Sequence, residues 1–344
     1  MALIGQTKIF EAAVTTMVDV DMGILDLFFP TVRKHTESVI EYDTATIVGA
    51  PLAYNSFMES SNTVEKDGSK IVTIAPVNFN NSITKDEIFR KQRLYGTTDY
   101  GDGKKVDPMV ASALHGVAKI RMNQIATLKK MTYEALVTHE IADGYKDENG
   151  TQDIVFGVPA VNKVEKTGNA GDLYWDDADA TPVDDIEKYV LDMLVEATDI
   201  VMSSSLYKLF TRNKQVVTTQ YNQDNPQNFF KNKDINTKAK FYRAGRLETD
   251  GGVSIDIWVE RQKYDVSGTQ TSYMSDKHIV LGSPEGVMHY AGIPMKGGNV
   301  TVAQEFAVEE VVIIDPATNK IVVKSAPLPV LKNGNAFKSV KVLD

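Results

Sequence analysis

Residues 107–144 constrain this chain more than any other stretch, because they read as one very long helix. Asp107 is a good N-cap, and Pro108 follows at the first helical position, where a missing N–H costs nothing. Apolar residues then recur at helical spacing: Val110, Leu114, Val117, Ile125, Leu128, Met131, Ala135 and Leu136. No proline interrupts the run, and Gly144 stands where a left-handed C-terminal cap belongs. The pattern predicts a helix over about 108–143, roughly 50 Å long. Globular helices run to roughly 8–20 residues, so this one needs a partner surface along its length. Its apolar positions do not hold a strict heptad, which favours a sheet over a coiled coil.

The flanking regions look unable to stabilise themselves. Residues 1–38 carry a weak helical spacing at Phe10, Val14, Met17 and Val18, then an apolar knot from Ile24 to Pro30 that includes Phe28 and Phe29. The segment reads either as an arm docking on a neighbouring chain or as a helix packed on its own domain. Ile40, Tyr42, Thr44, Thr46 and Val48 alternate with polar residues, as do Ile71, Thr73 and Ala75. Between them lies a polar stretch with the turn signal Lys66-Asp67-Gly68, so a long hairpin with a polar tip is expected. A two-stranded ribbon is marginal alone in water and calls for a partner surface.

After the helix the pattern alternates between classes. Thr84 and Glu87 form a capping box for a short helix to about Leu94. Pro182 opens another helix, with Asp184 and Asp185 at its positive end and a stripe of Ile186, Val190, Met193, Leu194, Ala197, Ile200 and Val201. Leu206 to Phe210 adds a turn, and Asn225-Pro226 caps a helix over about 227–231. Strands follow at 240–247 and 253–259 around a Gly-rich turn, then at 277–281 and 287–290. Strands at 306–314 and 320–324 flank Asp315 to Asn319, and the tail Pro327 to Leu331 is extended by its prolines.

Chemistry is hard to find. The five histidines show no metal-ligand spacing, and the absence of cysteine excludes disulfides and thiolate sites. Gly96 to Gly101 has the gap of a phosphate loop, but Asp102 stands where the lysine is needed. Asp176 to Asp185 lacks the loop glycine and terminal glutamate of a calcium loop, and reads as helix-capping acids beside a solvated loop. Lys104-Lys105 and Lys129-Lys130 read as solvated faces. No catalytic, cofactor-binding or metal residue is assigned, and no cofactor is called for. The net charge of −9 is the wrong sign for a dedicated nucleic-acid binder. No apolar run is long enough to span a membrane, and the N-terminus lacks a signal-peptide pattern.

The order of these features resembles the major capsid proteins of tailed bacteriophages, of the lambda type known as major capsid protein E. The resemblance rests on Val39 to Asp43 with Ala50-Pro51-Leu52, then Gly68 to Ile83 with Ala75-Pro76-Val77 and Asn81 to Thr84. The long helix through Glu134-Ala135-Leu136, then Asp153 to Gly157, Trp175 and the Pro182 helix start, follow in family order. Ser325-Ala326-Pro327-Leu328-Pro329-Val330 with Asn333 to Ala336 is the most specific local match. It implies an α+β capsid fold: an N-terminal arm (1–38), an extended β-loop (39–84), a peripheral domain with the long spine helix on a sheet (85–180 and 301–344), and an axial domain (181–300). It implies a structural protein, not an enzyme, forming hexamers and pentamers of an icosahedral shell around double-stranded DNA. Scaffolding, portal and decoration proteins are the implied partners, with assembly in the bacterial host cytoplasm and residence in the virion capsid. Phe10, Phe28, Phe29, Lys66, Ile71 and Ile74 are the implied subunit contacts. An encapsulin-like compartment shell and a soluble enzyme with an unrecognised site stay open as alternatives.

Overall fold

The long helix is present, and it ends earlier than its sequence suggests. In this computed structural model it spans Pro108–Val137, which is 30 residues or about 45 Å. The structure describes residues 22–37, 39–44, 68–73, 77–83, 99–100, 104–105, 108–147, 150–222, 239–249, 251–266, 268–295, 300–313 and 318–344. The expected helices over 84–94 and 227–231 lie outside these residues.

In chain order, helix α1 (Ile24–Phe28) is followed by strands β1 (Thr31–Lys34), β2 (Val39–Thr44), β3 (Gly68–Thr73), β4 (Val77–Ile83), β5 (Asp99–Tyr100) and β6 (Lys104–Lys105). The spine helix is α2. Then come β7 (Glu140–Asp147), β8 (Gly150–Val155), β9 (Lys163–Glu165), α3 (Pro182–Leu191), β10 (Asp199–Ser203), α4 (Ser204–Phe210) and α5 (Lys214–Asn222). The remaining chain is β: β11 (Phe241–Glu248), β12 (Ser254–Glu260), β13 (Lys263–Val266), β14 (Thr269–Ser272), β15 (His278–Gly282), β16 (Val287–Tyr290), β17 (Ile293–Met295), β18 (Val300–Val302), β19 (Ala307–Ile313), β20 (Thr318–Ser325), β21 (Pro327–Val330) and β22 (Phe337–Lys341).

The spine stops because the backbone turns at His139, which takes the left-handed conformation at φ 61°. Thr138 closes the last turn, its N–H and hydroxyl both donating to the Glu134 carbonyl. Gly144, expected as the cap, instead falls in an irregularity of β7 between Ile141 and Tyr145. Strand pairing wins there because Ile141 and Ile154 face one another across β7 and β8 and are both buried. Along the spine, Ile125, Leu128, Ala135 and Leu136 turn inward as their spacing predicts. The helix lies against β4 and β20 of the three-stranded sheet β19-β20-β4, and Gln124 donates to the Val323 carbonyl of β20. The expected sheet under the helix is therefore observed.

A six-stranded sheet, in the order β11-β12-β10-β15-β22-β9, forms the middle of the molecule. Its strands alternate, apart from an irregularity in β11 between Arg243 and Gly245. Ile200, Met202, Ile255, Ile257, Val259, Ile279, Leu281 and Val340 point to one face and join one apolar cluster. Val201, Val280 and Phe337 point to the other and join a second cluster, with Trp258 packed against it. The sheet is covered on both faces, so its central strands read as unbroken apolar runs. That explains one failed expectation. The stripe from Ile186 to Val201 is not a single helix; α3 ends at Leu191, and Ile200 and Val201 belong to the central strand β10.

The 241–260 hairpin forms as expected, with Gly252 at φ 84° in its turn. The strands at 277–281 and 287–290 do not pair with each other. β15 joins the six-stranded sheet, whereas β16 sits between β1 and β21 in a separate three-stranded sheet. Pro327 and Pro329 are tolerated in β21 because it is an edge strand there. The six-stranded sheet thus takes strands from 163–165, from 199–282 and from 337–341.

Candidate functional site

β2 and β3 pair with each other from Val39↔Thr73 to Thr44↔Gly68, and with no other strand among the described residues. This is the expected hairpin stem; its tip lies outside the described residues. Residues 34–37 lead from the body into the stem, whose Ile40 is still fully buried in the chain's own core, and polar side chains gather at that crossing.

β1 lies parallel to β16, pairing Thr31 to Lys34 with Val287 to Tyr290. His35 then donates its N–H to the Tyr290 carbonyl, and Gly292 donates to the Glu37 carbonyl. Gly292 must be glycine, since a Cβ there would run into the Thr36 backbone. Beside this crossing the His35 and His289 rings stack at 5.0 Å between centroids, with His35 Nε2 and His289 Nδ1 2.8 Å apart. Burial, then the nearby His35 and Arg33, hold His289 down to about 4, so it is neutral at neutral pH.

Glu305 binds two cations at the same place. Lys34 Nζ lies 3.1 Å from it and the buried Arg121 guanidinium 3.7 Å. Arg121 also covers the Phe306 ring at 4.4 Å and bonds Gln124. Burial lowers Arg121 from its ordinary range, with Tyr290 and Glu305 opposing. Tyr290 is pushed up to about 12, chiefly by burial and then by Glu305. Ser325 donates to the Glu305 carbonyl, so β20 is tied in as well. The junction therefore joins β1, α2, β16, β20 and residues 305–306. Among the described residues it holds no nucleophile beside a base. Its chemistry is that of an anchor.

A second buried polar node joins α2 to the end of β12. Tyr133 donates to Glu260 Oε2 at 2.5 Å, and Lys129 donates to Gln262 Oε1 at 2.7 Å. Lys129 is buried and not part of a solvated face; Lys130 is exposed and lies 3.3 Å from Glu134. Burial raises the Glu260 carboxyl above its usual range, opposed first by Tyr133.

Of the acids from Asp176 to Asp185, Asp185 is bound to Lys166 at 2.8 Å and accepts from the Trp175 indole. Asp177 accepts from the Asp179 N–H. Among the described residues no cluster of three or more His, Asp or Glu could hold a metal ion.

The expected contact residues are scattered. Phe28 and Phe29 are corrections: they are 0% and 3% exposed and belong to the chain's own core. Phe28 meets Phe337 edge-on at 5.8 Å and Phe29 stacks on it at 6.4 Å. The short α1, stopped by Pro30, folds them back against the spine instead of offering them outward. Ile71 lies in β3 opposite Glu41. Phe10, Lys66 and Ile74 lie outside the described residues. Sequence reasoning missed His35, His289, Arg121 and Glu305, because nothing in their spacing brings residues so far apart together. It also read Leu194 as core, whereas Leu194 is 64% exposed. The signal available was Leu191, which falls off the inward stripe.

A family model described as phage major capsid protein E matches residues 7–342. Among solved structures, a protein described as a capsid protein of a prophage in E. coli CFT073 superposes with a TM-score of 0.68 at 17% identity, covering 98% of each chain. A phage-related protein from Bordetella bronchiseptica RB50 gives 0.54 at 11% identity, covering 97% of this chain and 95% of that one. The holo-SrpI encapsulin complex from Synechococcus elongatus gives 0.46 at 11% identity, covering 93% and 86%. No curated protein matches the sequence significantly.

Proposed function

Because the chain belongs to the phage major capsid protein E family and has its capsid fold, we propose that its copies assemble as hexamers and pentamers into an icosahedral shell enclosing double-stranded DNA. The structural, shell-forming role, the virion capsid as its place and the absence of an enzymatic role follow from the family itself. The arrangement into capsomers, the enclosed genome, the scaffolding, portal and decoration partners and assembly in the host cytoplasm are our reading.

One observation carries that reading. The β2–β3 stem is a two-stranded ribbon, fixed to the body at its base by the buried Ile40 and a polar junction, with no third strand among the described residues. Such a ribbon gains stability by lying on a neighbouring subunit. We divide the chain as arm 1–38, extended loop 39–84, peripheral domain 85–180 with 301–344, and axial domain 181–300, with β9 and β22 completing the axial sheet. Phe10, Lys66, Ile71 and Ile74 remain contact candidates. The net charge of −9 suits a container that does not grip its genome tightly.

The test is electron microscopy of the chain expressed alone and with its genomic neighbours. Closed shells built of five- and six-membered rings are expected, or flat hexameric sheets when the chain is alone. A discrete monomer or dimer under both conditions overturns the reading. Shells filled with host protein, even when packaging neighbours are present, would replace genome enclosure by a compartment role.

A further inference from the structure

Two features at opposite ends of α3 are unexplained by the chain's own core. At the N-terminal end lies a groove of about 530 Å³ between residues 175–178 and the α4–α5 corner. Lys208, Arg212 and Lys214 line it together with Asp176 and Asp177, all exposed, and none of the three cations makes a side-chain hydrogen bond or ion pair among the described residues. Leu209, Ala178 and the edge of Trp175 supply an apolar floor. The corner is fixed in place: Asn213 donates to the Ala180 carbonyl and Gln215 accepts from the Val183 N–H.

At the other end, α3 gives way to an irregular segment before β10. Leu191 and Leu194 are 63% and 64% exposed there, while Met193 between them is buried and fixes the segment to the core. The acids Asp192 and Glu196 are exposed beside them. One exposed leucine is unremarkable. Two in one short segment, flanked by acids, match in chemistry a groove with an apolar floor, where the cations of the α4–α5 corner outnumber Asp176 and Asp177 on its other wall.

The ends of α3 are about 15 Å apart, from its 10 residues. The two surfaces therefore cannot meet within one molecule. Two different, complementary patches held apart on one subunit make a head-to-tail contact between copies, and a head-to-tail contact that closes generates a ring.

We propose that the 191–196 segment of one copy docks in the Lys208–Arg212–Lys214 groove of the next, forming the repeating contact of the capsomer ring. Leu191 and Leu194 cover Leu209 and Ala178, while Asp192 and Glu196 lie against the three cations. The proposal rests on the shell reading and names the surfaces that would join the rings.

The chain has no cysteine, so placed cysteines report cleanly. Assembled particles of the double variant Leu194→Cys, Ala178→Cys, treated with a short bis-maleimide, should give a ladder of up to six rungs on a denaturing gel. Each single variant should stay monomeric. Reversal of the segment (Asp192→Lys with Glu196→Lys), or of the groove (Lys208→Glu with Arg212→Glu), should abolish particles, and the combined four-fold variant should restore them. Assembled particles of the double-cysteine variant that give no ladder, or reversals that assemble normally, overturn this contact and leave the shell reading intact. Failure of the unmodified chain to assemble overturns both. A reversal variant that misfolds shows itself by circular dichroism, and the ladder then decides.

Discussion

The two faces of the six-stranded sheet are covered in different ways. One face carries Ile200, Ile257, Ile279 and Val340, and α3, α4 and α5 cover it. Those helices and most of the strands beneath them come from one stretch, about residues 175–282. The other face carries Val201, Val280 and Phe337, and it is closed by residues 24–29, 128–141, 288–291 and 326–336, with Phe156. The first face can be buried by neighbours in sequence. The second closes only when both ends of the chain reach its middle, at the cost of long loops. The buried histidines His139 and His289 and the Tyr133–Glu260 pair lie on the second side. So does the anchor of the β2–β3 stem. The element best placed to act between subunits is thus fastened to the part of the molecule that is hardest to assemble.

The strongest way to test this division is to remove a large side chain from the non-local face. Phe337 is fully buried against Phe28 and Phe29, and Gly282 sits so close that nothing else fills the space. Phe337→Ala should cost about 3–5 kcal/mol in urea unfolding. Hydrogen exchange should then rise first in α1, β1 and β16, with α3 to α5 still protected. Faster exchange in α3 to α5 alone would erase the distinction between the faces.

Acid should separate the faces next. Burial holds His139 down to about 4, with Lys163 adding to the effect, and His289 sits at about 4 as well. Both start from an ordinary value near 6.5, and their folded forms refuse the proton that the unfolded chain accepts. Their contribution is complete above about pH 6.5, falls as pH drops and is gone below about 4, worth up to about 3 kcal/mol for each ring. Unfolding midpoints should therefore fall between pH 7 and pH 4.5, and less steeply in a His139→Gln variant. An unchanged slope in that variant would remove His139 from the account.

How much of this was legible follows from the same distinction. The spine was readable from Pro108 and its apolar spacing, and the 241–260 and 307–325 hairpins from their turns. Those signals are local. The resemblance to a capsid family supplied the order of the larger parts. The end of the spine was not readable, because His139 takes the left-handed position that glycine usually occupies and strand pairing across Ile141 and Ile154 decides the boundary. Ile200 and Val201 satisfied a helical spacing while belonging to a doubly covered strand, which carries no periodicity to tell the two apart. His35 with His289, and Arg121 with Glu305, join residues up to 254 positions apart, and no single-sequence pattern encodes such a meeting. Phe28 and Phe29 looked like docking residues because an apolar knot near a terminus says nothing about whose core it enters.

The smallest effect tests whether the polar node on the non-local face is electrostatic or merely packed. Tyr133 donates to Glu260, which also accepts from the Gln262 N–H and lies near Lys129. Tyr133→Phe removes one of these donors and leaves the others, so the loss should be about 1–2 kcal/mol at neutral pH. Burial already raises the Glu260 carboxyl, and losing the tyrosine donor raises it further. A carboxyl raised in the folded state holds a proton that the unfolded chain has released, so its penalty grows as pH rises and fades as pH falls. This slope is opposite to that of the histidines on the same face. The Tyr133→Phe deficit should therefore be larger at pH 7.5 than at pH 5. Equal deficits at both values would mean that Tyr133 matters only through its ring, which stacks on Tyr273 at 6.0 Å. The node would then be packing with a hydroxyl attached, and the non-local face would owe its acid response to the histidines alone.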